Sequence, residues 1–153
     1  MKLSSAEIDA FVHPLKALAI FAGCSDGQLK AMLGRVESVS YAKEKVVLME
    51  QEISRTLFVL VQGSVGIWRR KGGEKLLLAA LKAPDFFGES SMFLEYPANA
   101  LVKTQEPSRL LMLSRDAFND MAGRDATFGL LIEKNLAAIE EQRPPLLKKE
   151  VSE

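Results

Sequence analysis

The sequence has very little of the residue types that build disulfides and most metal sites. Its 153 residues include one cysteine, Cys24, and one histidine, His13. A single thiol cannot form an intramolecular disulfide, and clustered histidines or thiols are what zinc and iron centres need. We therefore expect no bound transition metal, and we expect the protein not to be a metal-dependent enzyme.

An excess of either charge is also missing. Lys and Arg together number 20, as do Asp and Glu, whereas nucleic-acid binders usually carry a basic excess. No apolar run approaches the length that crosses a bilayer, and the first residues contain acids where a signal peptide needs an apolar core. We expect a cytoplasmic protein that does not bind DNA directly. Its 48% hydrophobic and 26% charged residues are typical of one globular domain with a real core.

Capping-box patterns predict helices near the start of the chain. Ser4 is followed three residues later by Glu7, and Ser25 by Gln28, which is the spacing at which a side chain and a backbone N–H cap each other. We expect helices within residues 5–34, and we expect single residues such as His13 to be ordinary surface or packed side chains.

Residues 36–113 have the pattern of a β unit. Short apolar runs alternate with turn residues at regular spacing, which is typical of a sandwich or jelly roll. Gly72 and Gly73 supply the positive φ of a hairpin turn. The predicted strands are Val36–Tyr41, Val46–Met49, Leu57–Ile67, Leu76–Leu81, Ala100–Thr104 and Leu110–Leu113.

Helical periodicity returns over residues 114–143. Ser114 and Gly123 are expected to cap a first helix, and a second is expected from about Asp125 to Gln142. The second helix carries a heptad-like seam, which predicts a homodimer; the alternative is that this face packs on its own β unit. The seam consists of Phe128, Ile132, Asn135 and Ile139. Residues 144–153 are expected to be a charged tail, with no helix-turn-helix domain following.

The segment from Asp85 to Leu101 has the pattern of a phosphate-binding loop. An apolar pair is followed by Gly88, an acid and two serines. Ser90 or Ser91 is expected to cap a short helical turn, whose backbone N–H groups would attract an anion. The alternative interpretation is an ordinary turn between two strands.

Four motifs together resemble the cyclic nucleotide-binding domain family, to which the effector domain of catabolite activator protein belongs. The resemblance covers about residues 18–142. The motifs are Ile20-Phe21-x-Gly23-Cys24-Ser25-Asp26-x-x-Leu29, Leu57 to Val65, Asp85-Phe86-Phe87-Gly88-Glu89, and Glu106 to Arg115. The resemblance implies a mainly β fold with flanking helices, that is, a β-roll or double-stranded β-helix jelly roll. It also implies that residues 1–143 form a single domain and that this domain holds a ligand.

The resemblance also implies roles for individual residues. Glu89 would match the acid that bonds the ribose 2′-hydroxyl. The run that carries the family's phosphate-binding arginine falls on Ala98-Asn99-Ala100, so alanine occupies the arginine position. Two glycines of earlier loops are replaced, near Glu44 or Lys45 and at Gln51. The segment from Asp85 to Leu101, called the cassette from here on, therefore lacks part of the family's phosphate-binding set. We expect weak or absent cyclic AMP binding from this degenerate cassette.

Two functions remain open at this point. The first is a regulatory or sensor domain, without a cofactor, that binds a small molecule and holds a cyclic nucleotide weakly if at all. The second is a non-binding dimerisation or protein-interaction module, whose pocket is filled by Phe87, Met92, Phe93 and Leu101. The predicted ligand-binding residues are Phe87, Gly88, Glu89, Ser90, Ser91, Ala98, Asn99 and Ala100.

Overall fold

Eight antiparallel strands form two four-stranded sheets in the computed structural model, which describes residues 1–142. One sheet, called sheet A, has the order β1-β8-β3-β6, and the other, sheet B, has the order β2-β7-β4-β5. The strands are β1 Glu37–Tyr41, β2 Val46–Leu48, β3 Thr56–Gln62, β4 Ser64–Lys71, β5 Glu74–Lys82, β6 Asp85–Phe87, β7 Leu101–Thr104 and β8 Ser108–Ser114. The predicted mainly β roll with flanking helices is confirmed.

Five helices flank the sheets. They are α1 Ser5–Lys16, α2 Asp26–Leu33, α3 Glu89–Leu94, α4 Arg115–Arg124 and α5 Ala126–Gln142, with a short 3-10 helix at Ala19–Phe21. Both predicted capping boxes are formed, because Ser4 and Ser25 each accept a backbone N–H and receive a side-chain cap in return. Ser114 caps α4 as predicted, with its Oγ accepting from the Ala117 N–H.

The apolar run from Leu57 to Ile67, predicted as one strand, is two strands joined at Gly63. Gly63 has φ 91°, and a Cβ there would lie 2.3 Å from Ser108 Oγ. Only glycine fits this corner, where the chain leaves sheet A and enters sheet B. The predicted cap at Gly123 is also wrong, since α4 continues through Gly123 to Arg124 and Asp125 is its C-cap.

The core has two parts, one between the sheets and one under the helices. Apolar side chains from both sheets meet in the first part: Leu48, Phe58, Leu60, Val65, Phe87, Val102 and Leu110. The second part packs the helices against the outer face of sheet A, with residues such as Leu57, Val59 and Leu111 at its centre. In the part of the chain that the structure describes, no helix is long and apolar enough to span a bilayer.

The seam of α5 packs inside its own chain. Phe128 and Ile132 are each 1% exposed and belong to the helical part of the core, with Ile139 packed against it. Asn135 Nδ2 donates to the carbonyl oxygens of Ile20 and Ala22, at 3.0 and 2.8 Å. The prediction that these four residues form a homodimer contact is therefore wrong, and the alternative, packing within the chain, is what the structure has. The predicted tail at residues 144–153 lies outside the described residues.

Candidate ligand-binding site

A left-handed glycine joins β6 to α3 and shapes the predicted loop. Gly88 has φ 85° and precedes the first helical residue, Glu89, without any side-chain cap. The prediction that Ser90 or Ser91 caps this helix is wrong, since both lie within it. A Cβ on Gly88 would lie 2.9 Å from both the Phe58 ring and the Thr56 carbonyl oxygen. Gly88 is thus required by packing as well as by its backbone angle.

A cavity of about 180 Å³ opens beside this loop, between the cassette and the inner face of sheet B. All eight predicted ligand-binding residues line it. Sequence reasoning missed seven others: Leu48, Ile67, Leu81, Phe86, Tyr96, Pro97 and Val102. Several of these are apolar side chains on strands, and their pattern is the same as that of buried core. Strand alternation can assign such residues to one face of a sheet, but no sequence signal separates a cavity wall from a filled core.

Two serines of α3 hold the cassette to its neighbours. Ser91 is 2% exposed, and its Oγ accepts the Ser54 backbone N–H at 2.8 Å. Ser90 Oγ donates to Glu140 Oε1 on α5, also at 2.8 Å. Ser91 thus fixes α3 to the loop before β3, and Ser90 joins the cavity wall to the last described helix.

Two backbone hydrogen bonds join the loop after β2 to Ala98, the residue in the family's arginine position. The Gln51 N–H donates to the Ala98 carbonyl at 2.7 Å, and the Ala98 N–H donates to the Glu52 carbonyl at 2.8 Å. These two bonds fix the backbone of Ala98, which lines the cavity. Gln51 and Glu44, which stand where the resemblance implies glycines, have φ 73° and 63°. The left-handed turns are therefore kept without glycine.

Three basic side chains near the cassette contact groups outside the cavity. Arg115 Nη1 donates to the carbonyls of Met92 and Phe93, at 2.8 and 3.3 Å, at the end of α3. Arg55 pairs with Glu95 at 3.1 Å. Lys103 lies on β7, and its Nζ is 5.8 Å from the centre of the Trp68 ring. None of these three residues is among those that line the cavity.

Three acidic side chains lie in or near this part of the roll, and of these Glu89 lines the cavity whereas Asp85 and Tyr41 do not. Glu89 is 3% exposed and lines the cavity. Burial raises the pKa of Asp85, the first residue of β6, while the Phe86 N–H bonded to its Oδ1 acts in the opposite direction. Burial also raises the pKa of Tyr41, with a smaller contribution from the charge of Glu52. The cavity is thus an apolar space with a buried carboxyl group in its wall.

The cavity is not filled by the side chains proposed to occupy it. Of the four, only Phe87 lines it, where its ring stacks on Phe58 with centroids 5.0 Å apart. Met92 and Phe93 belong to the helical part of the core, where Phe93 meets Phe118 edge-on at 4.8 Å. Leu101 is half-buried and pairs with Trp68. The described side chains of residues 1–142 therefore leave this space open.

Metal-binding groups do not cluster in the part of the chain described here, where no three His, Cys, Asp or Glu side chains are placed to share an ion. Cys24 is buried, and its pKa is raised by burial and then by the charge of Asp125. His13 lies on α1, away from the cavity of the cassette. The eight-stranded roll, the cassette and its cavity are what define the site.

These features define a β-roll domain with a short helix beside an inner cavity, and the chain belongs to the cyclic nucleotide-binding domain family. The family model matches residues 38–125, which include β1 to β8 apart from one residue of β1, and α4.

Three similar proteins illustrate the range of contexts. The chain is 24% identical over 122 residues to potassium channel KAT3 of Arabidopsis thaliana, covering 80% of this chain and 18% of the channel. It is 29% identical over 104 residues to the CRP-like cAMP-activated global transcriptional regulator of Mycobacterium tuberculosis, covering 67% and 46%. The structure matches the catabolite activator protein of Thermus thermophilus with a TM-score of 0.73 and 25% identity, covering 82% and 57%. The chain thus spans less than half the length of these two sequence relatives.

Proposed function

We propose that this chain is the sensor domain of a regulatory protein, and that it binds a small molecule in the cavity beside α3. The observation that carries the proposal is the cavity of about 180 Å³, which all eight predicted site residues line and which the side chains of residues 1–142 leave open. The cAMP-activated regulator among its relatives supports a regulatory role. A non-binding interaction module has less support, because Met92, Phe93 and Leu101 do not occupy the space.

Ligand binding would be transmitted through α3. This helix has a cavity side, with Glu89, and a core side, with Met92 and Phe93. Phe93 packs against Phe118 of α4, and Ser90 bonds to Glu140 of α5. A ligand that shifts α3 therefore also shifts the packing of α4 and α5, which is where a downstream protein could sense it.

Cyclic nucleotides are expected to bind weakly. A hydrogen bond to a charged group contributes about 1.5–3 kcal/mol, and an arginine can make two such bonds to a phosphate. With Ala98 in the arginine position, affinity for a cyclic phosphate should fall by roughly a hundredfold or more. Lys103 cannot replace the arginine, because it lies over Trp68 on the outer side of sheet B.

The proposal includes several broader features. We place the domain in the cytoplasm because its sequence has no apolar run of bilayer length. Its balanced charge favours a role without direct DNA contact, and its few metal-binding residues favour a role without catalysis. A protein partner would bind to α4 and α5 and would respond to the change in their packing. A homodimer also remains part of the proposal, but it must use a surface other than the buried seam of α5.

Nuclear magnetic resonance titration tests the sensor proposal. Cyclic AMP and cyclic GMP should move the backbone amide signals of residues 87–91 and 98–100, with dissociation constants well above the low-micromolar range. Ala98→Leu, which fills the cavity, should abolish the shifts, whereas Ala137→Leu on the exposed side of α5 should not. A low-micromolar constant would refute weak binding. If neither nucleotide nor a fragment library moves these signals, the sensor function is refuted.

A further inference from the structure

We infer that the outer face of sheet B, the side turned away from the cavity, is a docking surface for an acidic amphipathic helix of a partner protein. Its centre is apolar, with Trp68, Leu77 and Leu101, and the charged side chains on its strands are basic. We call this surface the tryptophan face. It is separate from α4 and α5, so the inference goes beyond the proposed sensor function and does not depend on it.

The apolar centre follows from the alternation of side chains along the strands. Ile67 and Val102 line the cavity, so their chain neighbours Trp68 and Leu101, which pair with each other, lie on the opposite face of the sheet. Leu77 of β5 pairs with Trp68 on its other side and is 48% exposed. The solvent face of an antiparallel sheet normally carries polar residues. Three adjacent apolar side chains on this face therefore favour a surface that a partner covers.

Gly66 lets the indole ring lie along the sheet. A Cβ at this position would be 2.8 Å from Trp68 Nε1 and 3.2 Å from Leu77 Cδ1, so a larger residue would displace both side chains. The Nε1 atom is buried and has no hydrogen-bond partner within residues 1–142. Because the polar edge of this half-buried ring is covered, the part that remains accessible is apolar carbon. The ring therefore offers a flat contact surface for an apolar group of the partner.

The charges on the strands of the tryptophan face have one sign. On β4, β5 and β7 the described charged side chains on this side are Arg70, Lys75, Lys82 and Lys103. None of them forms an ion pair within residues 1–142, although Lys103 Nζ lies 5.8 Å from the centre of the Trp68 ring. Glu106 lies at one end of the face, where it accepts from a serine of β4 at 2.7 Å. A partner that carries carboxylates would thus meet cations on both sides of an apolar centre.

A second copy of the chain does not fit this face. In a twofold pair each subunit uses the same surface, so the cations of one copy would face the cations of the other. Strand addition is also disfavoured. β5 is the edge strand of sheet B, but Lys75 and Lys82 lie on it, and Leu78 forms a bulge between the partners of Ile67 and Trp68. Charged residues and bulges on an edge strand block its pairing with another strand.

An acidic helix matches the dimensions of the face. Helices of the same chain already cover the outer face of sheet A, and a helix packed on a sheet is a common way to bury an apolar sheet face. Lys103 pairs with Gly66, and Arg70 lies further along the same strand, β4. Strand geometry separates these two positions by about 13 Å, or roughly two to three helical turns. A helix whose glutamates flank an apolar stripe of that length would pair with cations at both ends and cover Trp68 between them.

Intrinsic fluorescence tests the inference, because Trp68 is the single tryptophan of the chain. Three synthetic helical peptides of equal length, without tryptophan, would be titrated into the full 153-residue chain, so that residues 143–153 are present. One peptide has glutamates on either side of a leucine stripe, and the others have glutamines or lysines in the same positions. We expect the glutamate peptide to bind at least about tenfold more tightly than the glutamine peptide, with an affinity that falls as salt is added. The lysine peptide should not bind.

Paired variants assign the binding to the tryptophan face. Lys103→Glu should weaken binding of the glutamate peptide by about tenfold, whereas Lys134→Glu, the same change on the exposed side of α5, should leave it unchanged. Leu77→Ser should weaken binding as well, and Leu130→Ser, which removes a more exposed leucine, should not. Thermal unfolding would verify that each variant folds, and the comparison of the three peptides on the wild-type chain decides the question if a variant does not.

Three results would overturn the inference. Equal binding of the glutamate and glutamine peptides, or binding of neither, would exclude an acidic helix as the partner. Equal weakening by Lys103→Glu and Lys134→Glu would show that the peptide is attracted to no particular face. If the chain binds vesicles of phosphatidylserine and phosphatidylcholine but not the glutamate peptide, the face is a membrane-binding surface. None of these results concerns the cavity, so the sensor function is decided separately by its own titration.

Discussion

Single residues determine whether the family's loops keep their shape in this chain. The resemblance implies glycine near Glu44 or Lys45 and at Gln51, where this chain has other residues. Glu44 and Gln51 nevertheless adopt positive φ, at 63° and 73°. A residue with a Cβ pays roughly 1–2 kcal/mol for this conformation. At Gln51 the turn is held in spite of that cost, since its N–H donates to the Ala98 carbonyl beside the cavity.

Replacing Gln51 by glycine should therefore stabilise the protein. We expect a gain of about 0.5–1 kcal/mol, because relief of the left-handed strain is partly offset by the greater freedom of glycine in the unfolded chain. Urea unfolding would measure it. Gln62→Gly is the matched control, because Gln62 ends β3 without positive φ and its replacement should destabilise by about the same amount. Equal destabilisation by both changes would show that Gln51 is not strained.

The site illustrates which residues a sequence can identify. The cassette residues were identified through the family resemblance, which matched Asp85 to Glu89 to the start of the family's cassette and Ala98 to Ala100 to its arginine run. The apolar walls, such as Ile67 and Leu81, were not, because the same alternation describes a cavity wall and a packed core. The sequence also does not show why position 88 must be glycine, because a Cβ there would meet Phe58 and Thr56, which are distant in sequence.

At the scale of helices and strands, local hydrogen bonds were predictable and long-range contacts were not. The capping boxes at Ser4 and Ser25 depend on residues three positions apart, so the sequence contains all of the information. The break at Gly63 depends on Ser108, which is distant in sequence. The predicted cap at Gly123 is an exception, because local bonds decide it: the Asp125 N–H donates to the Met121 carbonyl, and the Asp125 carboxylate accepts from the Phe128 N–H at the start of α5.

The first helix is attached to the roll by a charged contact that depends on pH. Glu7 completes the capping box with the Ser4 N–H, and its other oxygen lies 2.7 Å from Arg109 Nη2 on β8. The Ser4 backbone bond, followed by Arg109, lowers the pKa of Glu7 below its usual 4.5. A lowered pKa means that the folded state holds this proton less tightly than the unfolded chain does. The contact therefore stabilises the fold above pH 4.5, and this contribution is lost as the pH falls through the lowered pKa.

Glu7→Gln isolates that charge while keeping an oxygen for the capping box. We expect the variant to be less stable than the wild-type chain at neutral pH, with the difference shrinking as the pH falls from about 7 to about 3. Urea midpoints across that range would measure the difference. Glu133→Gln, the same change on the exposed side of α5, is the control. A constant difference across the whole range would mean that the ion pair with Arg109 contributes nothing.

For the whole molecule, an apolar helix face specifies burial but not its partner. The four-three-four spacing on α5 predicted a second copy, and the structure covers the same face with the chain's own 3-10 helix and core. Asn135 shows the difference clearly. A buried asparagine can fix the register of a dimer, but here its amide satisfies two carbonyls at Ile20 and Ala22 that no helix bond pairs. Nothing in the helix sequence itself distinguishes these two uses.

Paired substitutions on α5 separate a core face from an interface. Ile132 is 1% exposed and Leu130 is 66% exposed, although they lie two residues apart. Ile132→Glu should cost roughly 3 kcal/mol or more, because it places a carboxylate in the core without a partner, whereas Leu130→Glu should change stability by about 0.5 kcal/mol or less.

The wild-type unfolding midpoint should also be independent of protein concentration as far as this face is concerned, since its partner belongs to the same chain. Chemical unfolding at several concentrations, with light scattering against the chain mass of 16.9 kDa, measures both effects. If Ile132→Glu stays folded and only converts a dimer to a monomer, the residue lies between two chains, and the packing of α5 on its own core is not the arrangement in solution.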